Sequence, residues 1–99
     1  MAVTNLILIE TLCTHYQVEV SFIDSLSDLG LIEVQTVEEI RYLPEEKVTH
    51  LERMIRLHQE LEVNPEGIDV IFNLLEKVDR LSQELAEAKN TLRRMGIPE

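Results

Sequence analysis

The most regular feature of the chain is the spacing of apolar residues in its last third. Ile71, Leu74, Val78, Leu81, Leu85, Ala88, Leu92 and Met95 follow one another at alternating steps of three and four. A sustained seven-residue repeat of this kind is a narrow coiled-coil seam. Asn64-Pro65-Glu66 marks the helix start with a capping side chain, a proline at the first position and an acid behind it. Arg93 and Arg94 suit the negative end of the helix dipole, and Gly96 followed by Pro98 predicts the stop. A helix from Pro65 to about Met95 would extend about 45 Å, beyond what the rest of so short a chain can cover. The pattern therefore predicts that the seam meets another helix, most simply a second copy. Glu84 and Lys89 flank the seam five residues apart, as parallel strands would pair them; an antiparallel pairing stays open.

Upstream the periods are shorter. Leu6-Ile7-Leu8-Ile9 is a β-prone run, and the helix-compatible segment Glu10 to Tyr16 would bury Leu12, Cys13 and Tyr16. Gln17 to Val20 can turn into a second helix with Ser21 near its start and Phe22, Ile23, Leu26 and Leu29 inward, ended by Gly30. Leu31-Ile32-Glu33-Val34 and Glu39-Ile40-Arg41-Tyr42 alternate apolar and polar residues, which predicts a hairpin turning over Gln35 to Glu38. Pro44 is placed to open a third helix to about Leu61, with Val48, Leu51, Ile55 and His58 on one side and Met54, Leu57 and Leu61 beside them. Two short helices around a tight turn, then a hairpin, is a winged helix-turn-helix order. The expected fold is mainly α: a winged helix-turn-helix with a third helix over residues 1–63, a long C-terminal coiled-coil helix over 64–96, and a tail at 97–99.

Composition narrows what such a module can do. The chain has 99 residues, 44% of them apolar and 28% charged, which is globular rather than disordered. Its formal net charge is −10, and a deficit of cations argues against neutralising nucleic-acid phosphates. The charge is uneven: residues 1–43 hold seven acids against one base, Arg41, whereas residues 44–99 hold twelve acids and eight bases. The second part shows opposite-sign pairs one turn apart, such as Glu52/Arg56 and Glu76/Arg80. The first part has no such compensation, and a one-sided field suits a basic protein surface; an acidic surface kept for solubility is the alternative. With Cys13 as the single cysteine, no intrachain disulfide forms, which suggests a reducing, cytoplasmic setting. No apolar run is long enough for a membrane span, and Met1 to Leu12 lacks the basic start of a secretory signal.

Candidate chemistry is sparse. Cys13 and His15 lie two apart, on different faces of a helix, and His50 and His58 are eight apart, too distant to share one ion. Three glycines, Gly30, Gly67 and Gly96, are too scattered for a phosphate loop. Cys13 and a histidine form a nominal nucleophile–base pair, but an apolar helix position is where inert buried thiols usually sit. No catalytic residue, metal or cofactor is expected.

Val18 to Ile32 (VEVSFIDSLSDLGLI) resembles the helix-turn-helix of MerR-type regulators, with Gly30-Leu31-Ile32 closing the recognition helix and Arg41 similar to the basic residue of the wing. One departure stands out. Where that pattern carries an Arg-Tyr-Tyr run toward DNA, this chain reads Asp24-Ser25-Leu26, and a carboxylate facing phosphates is repelled. Over nearly its whole length the chain is similar to the chaperone-modulator family CbpM, a MerR-like branch. The resemblance rests on Leu12-Cys13, on Gly30-Leu31-Ile32 and above all on the stretch Leu57 to Ile68 (LHQELEVNPEGI). It implies binding to the J-domain of a DnaJ-like, CbpA-type co-chaperone, inhibition of its activity, and dimerisation through the long terminal helix. An acidic module could compete for the basic J-domain helix that contacts a DnaK-type chaperone, which makes Asp24, Asp28 and Glu33 the leading contact candidates. The alternative is a dimeric MerR-like DNA-binding transcription regulator.

Overall fold

In the computed structural model, residues 5–97 are described. The elements run β1 (Leu6–Leu8), α1 (Ile9–Tyr16), α2 (Val20–Asp28), β2 (Gln35–Val37), β3 (Ile40–Pro44), a 3₁₀ turn (Glu45–Lys47), α3 (Val48–Leu61) and α4 (Pro65–Arg94). The molecule is mainly helical with a small antiparallel sheet of order β1-β3-β2. The expected stop at Pro98 and the end of the expected tail lie outside the described residues.

α1 buries Ile9, Leu12 and Cys13 at steps of three and one, and ends where Gln17 turns left-handed (φ 55°). α2 buries Phe22, Ile23 and Leu26. Its end is a paired cap: Leu31 N–H donates to the Leu26 carbonyl at 2.9 Å and Gly30 N–H to that of Ser27 at 3.0 Å. The cap needs a left-handed residue, and Gly30 takes φ +76° without a Cβ penalty. Leu29, expected inward, is instead exposed, because this cap turns the chain away one residue earlier.

The hairpin is offset from its expected position. Its strands are Gln35–Val37 and Ile40–Pro44, joined by Glu38-Glu39, with Val37 opposite Ile40. Both turn residues are left-handed, at φ 51° and 66°. Two-residue hairpin loops require that conformation, which Asn-Gly signals and Glu-Glu does not. Leu31 and Ile32 form a bend rather than a strand, and Ile32 is buried. Nor does Pro44 open a helix. It ends β3 opposite Leu6, and the 3₁₀ turn separates it from α3. A proline is tolerated there because β2 has already ended, with Gln35 opposite Tyr42, so only β1 adjoins it.

α3 buries Leu51, Met54 and Ile55, whereas Leu61 is left exposed. At the start of α4 the Asn64 side-chain oxygen accepts from Gly67 N–H at 2.7 Å, and Ile68 beside it is fully buried. The core of the N-terminal unit thus joins Ile9, Leu12, Ile23, Leu26, Leu43, Leu51, Met54 and Ile68, with no buried charged side chain among the described residues.

The chain divides into two compact units, Met1–Asp69 and Val70–Glu99, with the division inside α4 rather than at the loop before it. In the second unit α4 continues as one helix and ends in the same paired cap, Ile97 N–H to the Leu92 carbonyl at 2.9 Å and Gly96 N–H to that of Arg93 at 3.0 Å. Along it Leu74, Val78, Leu81, Leu85 and Met95 are each more than half exposed. No helix among the described residues is long and apolar enough to cross a membrane.

Candidate partner-binding surface

α2 holds the position of a recognition helix, and its outer face can be read residue by residue. Ser21, Asp24, Ser25 and Asp28 recur at helical spacing beside the buried Phe22, Ile23 and Leu26. The two serines turn their hydroxyls onto the protein itself: Ser21 donates to the Glu19 carboxylate at 3.2 Å and Ser25 to the Ser21 carbonyl at 3.0 Å. α2 itself contributes no lysine or arginine to this face.

Arg41, on β3, forms an ion pair and hydrogen bond with Asp24. The bond from Asp24 raises the guanidinium further above its ordinary range. The wing cation therefore bridges sheet and α2 instead of standing free for phosphate, and about one charge of α2 is neutralised in turn. Of the three expected contact residues, Asp24 and Asp28 share α2, one turn apart, with Asp24 engaged and Asp28 exposed. Glu33 lies beyond the Gly30 cap, exposed, and lines a cleft of about 260 Å³ with Gly30, Leu31, Ile32, Lys47 and His50.

Two further acids were not singled out by the sequence. Glu38 and Glu39 form the tip of the wing and are fully on the outside. In winged DNA binders the wing reaches the duplex, so an acidic tip opposes phosphate as Asp28 does. The signal was hidden by the offset hairpin, which placed Glu38 in a longer turn and Glu39 in a strand.

Side-chain contacts tie α1 and α2 to α3. The Phe22 ring stacks on His58 of α3 at 4.3 Å, and His58 Nδ1 lies 3.0 Å from the Val63 carbonyl. Gln59 Nε2 donates to the Tyr16 and Gln17 carbonyls at 2.9 and 3.3 Å, satisfying groups left over at the end of α1. The Tyr16 hydroxyl donates to the Glu52 carboxylate, which pushes the phenol up to about 12. These contacts join both helices of the helix-turn-helix to α3.

Reactive groups are few. Burial pushes the Cys13 thiol up, so it stays protonated at neutral pH. Among the described residues no group of three or more His, Cys, Asp or Glu could hold a metal ion.

Comparison with known proteins agrees with this architecture. The family described as MerR HTH family regulatory protein matches residues 7–90. A relative in Pseudomonas entomophila (strain L48), named chaperone modulatory protein CbpM, is 35% identical over 86 residues, covering 85% of this chain and 84% of that protein. The matched span takes in the helix-turn-helix, the wing with its Arg41–Asp24 bridge and most of α4. The chain belongs to the MerR helix-turn-helix family, as a CbpM-like member of it.

Proposed function

We propose that this protein is a chaperone modulator that binds the J-domain of a DnaJ-like, CbpA-type co-chaperone and inhibits its co-chaperone activity. The observation that carries this reading is the electrostatic inversion of a DNA-binding scaffold. The recognition helix presents Asp28 and serines, the wing tip presents Glu38 and Glu39, and the wing arginine is held by Asp24. Such a surface repels a sugar-phosphate backbone and attracts a cationic protein helix, speeding encounter while apolar anchors set the residence time. Asp24, Asp28 and Glu33 belong to that surface in this reading, and competition for the J-domain's basic helix would block its access to a DnaK-type chaperone. The named relative supports the chaperone link.

The working form is a homodimer joined through Ile71, Leu74, Val78, Leu81, Leu85, Ala88, Leu92 and Met95. The support is a seven-residue repeat in which Leu74, Val78, Leu81, Leu85 and Met95 stay more than half exposed in the single chain, a stripe that a lone helix rarely leaves uncovered. The second reading, a dimeric DNA-binding transcription regulator, is favoured by the family match alone.

The test is a pull-down from native lysate analysed by mass spectrometry, followed by a DnaK-type ATPase assay with the recovered J-protein. Recovery of a J-domain protein and loss of its ATPase stimulation on adding this chain are expected. Recovery of DNA with no J-domain protein would replace this reading with the second.

A further inference from the structure

The sheet has two faces of opposite character, and the strand register assigns each residue to one of them. Residues directly opposite in an antiparallel pair point the same way. Leu43, fully buried, and Arg41, bonded to Asp24 of α2, mark the face turned toward the helices. The other face carries Leu6 and Leu8 of β1, Ile40, Tyr42 and the buried Pro44 of β3, and Val37 of β2 with the polar Gln35 at its edge. On it Leu6, Leu8, Val37 and Ile40 are 37%, 39%, 50% and 46% exposed. Exposed apolar side chains from all three strands thus share one face of the sheet.

Its rim is acidic at both ends. Glu38 and Glu39 close the β2–β3 end, while Glu45 follows β3 at the other end, held by Asn5 at 2.9 Å. Through residue 46 the sole base is Arg41, which is engaged on the opposite face. We propose that this outer sheet face is the docking surface for a basic amphipathic helix of a protein partner. The helix would lay its apolar stripe on Leu8, Ile40 and Val37, while its flanking lysines and arginines reach the rim glutamates and the Tyr42 ring. The acids of α2 then add to the charge that attracts the basic helix, while the apolar anchoring falls to the sheet. The identity of the partner rests on the J-domain reading; the location of the surface does not.

The test titrates isotopically labelled full-length protein with two probes, an isolated J-domain of a DnaJ-like co-chaperone and a Lys/Leu amphipathic helical peptide, and follows amide shifts. Shifts confined to residues 6–8 and 35–45 are expected with both. The triple variant L8T/V37T/I40T keeps β-compatible shapes and should bind roughly tenfold more weakly, whereas E60Q, at an exposed position of α3, should stay within roughly twofold. I40T alone serves if the triple variant loses its fold by circular dichroism. J-domain binding with shifts centred on α2, undiminished in the variants, would overturn the surface and leave the functional reading standing. Peptide binding at the sheet without J-domain binding would do the reverse. Loss of self-association in L8T/V37T/I40T would show a contact between copies and would also overturn the proposal.

Discussion

At the scale of single residues, the protein is held by a few polar bonds placed where helix ends leave carbonyls and amides unpaired. The Tyr16–Glu52 bond is the most testable. A phenol whose folded value is about 12 against an ordinary 10.0 contributes its full share below the ordinary value and loses it as pH rises through the folded one. In Y42F, where Tyr16 is the remaining phenol, absorbance titration should therefore give a midpoint near 12, and a midpoint near 10 would contradict the bond. Y16F should cost about 1 kcal/mol of unfolding free energy at neutral pH. Gly67 makes a sharper case. Glycine inside a helix is ordinarily improved by alanine. Here a Cβ would lie 2.8 Å from the stiff Val63 side chain and 3.0 Å from the Asn64 oxygen that caps α4. G67A should therefore destabilise, like N64A, by about 1 kcal/mol in chemical denaturation. The same contacts explain in physical terms why the Val63-Asn64-Pro65-Glu66-Gly67-Ile68 stretch hangs together: cap, room for the cap, and buried anchor.

At the scale of elements, legibility in the sequence followed the strength of the local signal. α4 was readable end to end because a cap, a proline, a heptad and a glycine all agree, and α1 and α2 were readable from their apolar faces and from Gly30. The hairpin was misplaced for a definite reason. Its turn is Glu38-Glu39, both left-handed, and nothing in the residue types announces that conformation. Pro44 misled similarly, since a proline after a strand and a proline opening a helix look alike until β1 is seen to pair with β3. Of the candidate surface, Asp28 and Glu33 were legible as acids. The neutralisation of Asp24 by Arg41 was not, because the two are joined only by the packing of the sheet on α2. The wing turn carries a cost, as left-handed non-glycine residues are disfavoured by about 1 kcal/mol or more each. E38N/E39G should raise stability by about 1–2 kcal/mol, and the melting temperature by about 4–8 °C per kcal/mol. An unchanged melting temperature would show that the turn is unstrained.

At the scale of the whole molecule, two features account for the proposed activity: an acid-faced winged module and an apolar helical stripe that asks for a second copy. The proposed pairing predicts that L81E or L85E yields a monomer by sedimentation velocity while circular dichroism of the N-terminal unit is retained; an unchanged mass would exclude the seam. The charge side predicts opposite salt behaviour for the two classes of partner. The most direct measurement titrates the purified protein with an isolated J-domain and with random duplex DNA, at low and at moderate salt. The account predicts that the J-domain binds with an affinity that falls as salt rises, and that duplex DNA stays unbound even at low salt. Duplex binding with a steep salt slope, and no measurable affinity for the J-domain, would contradict it.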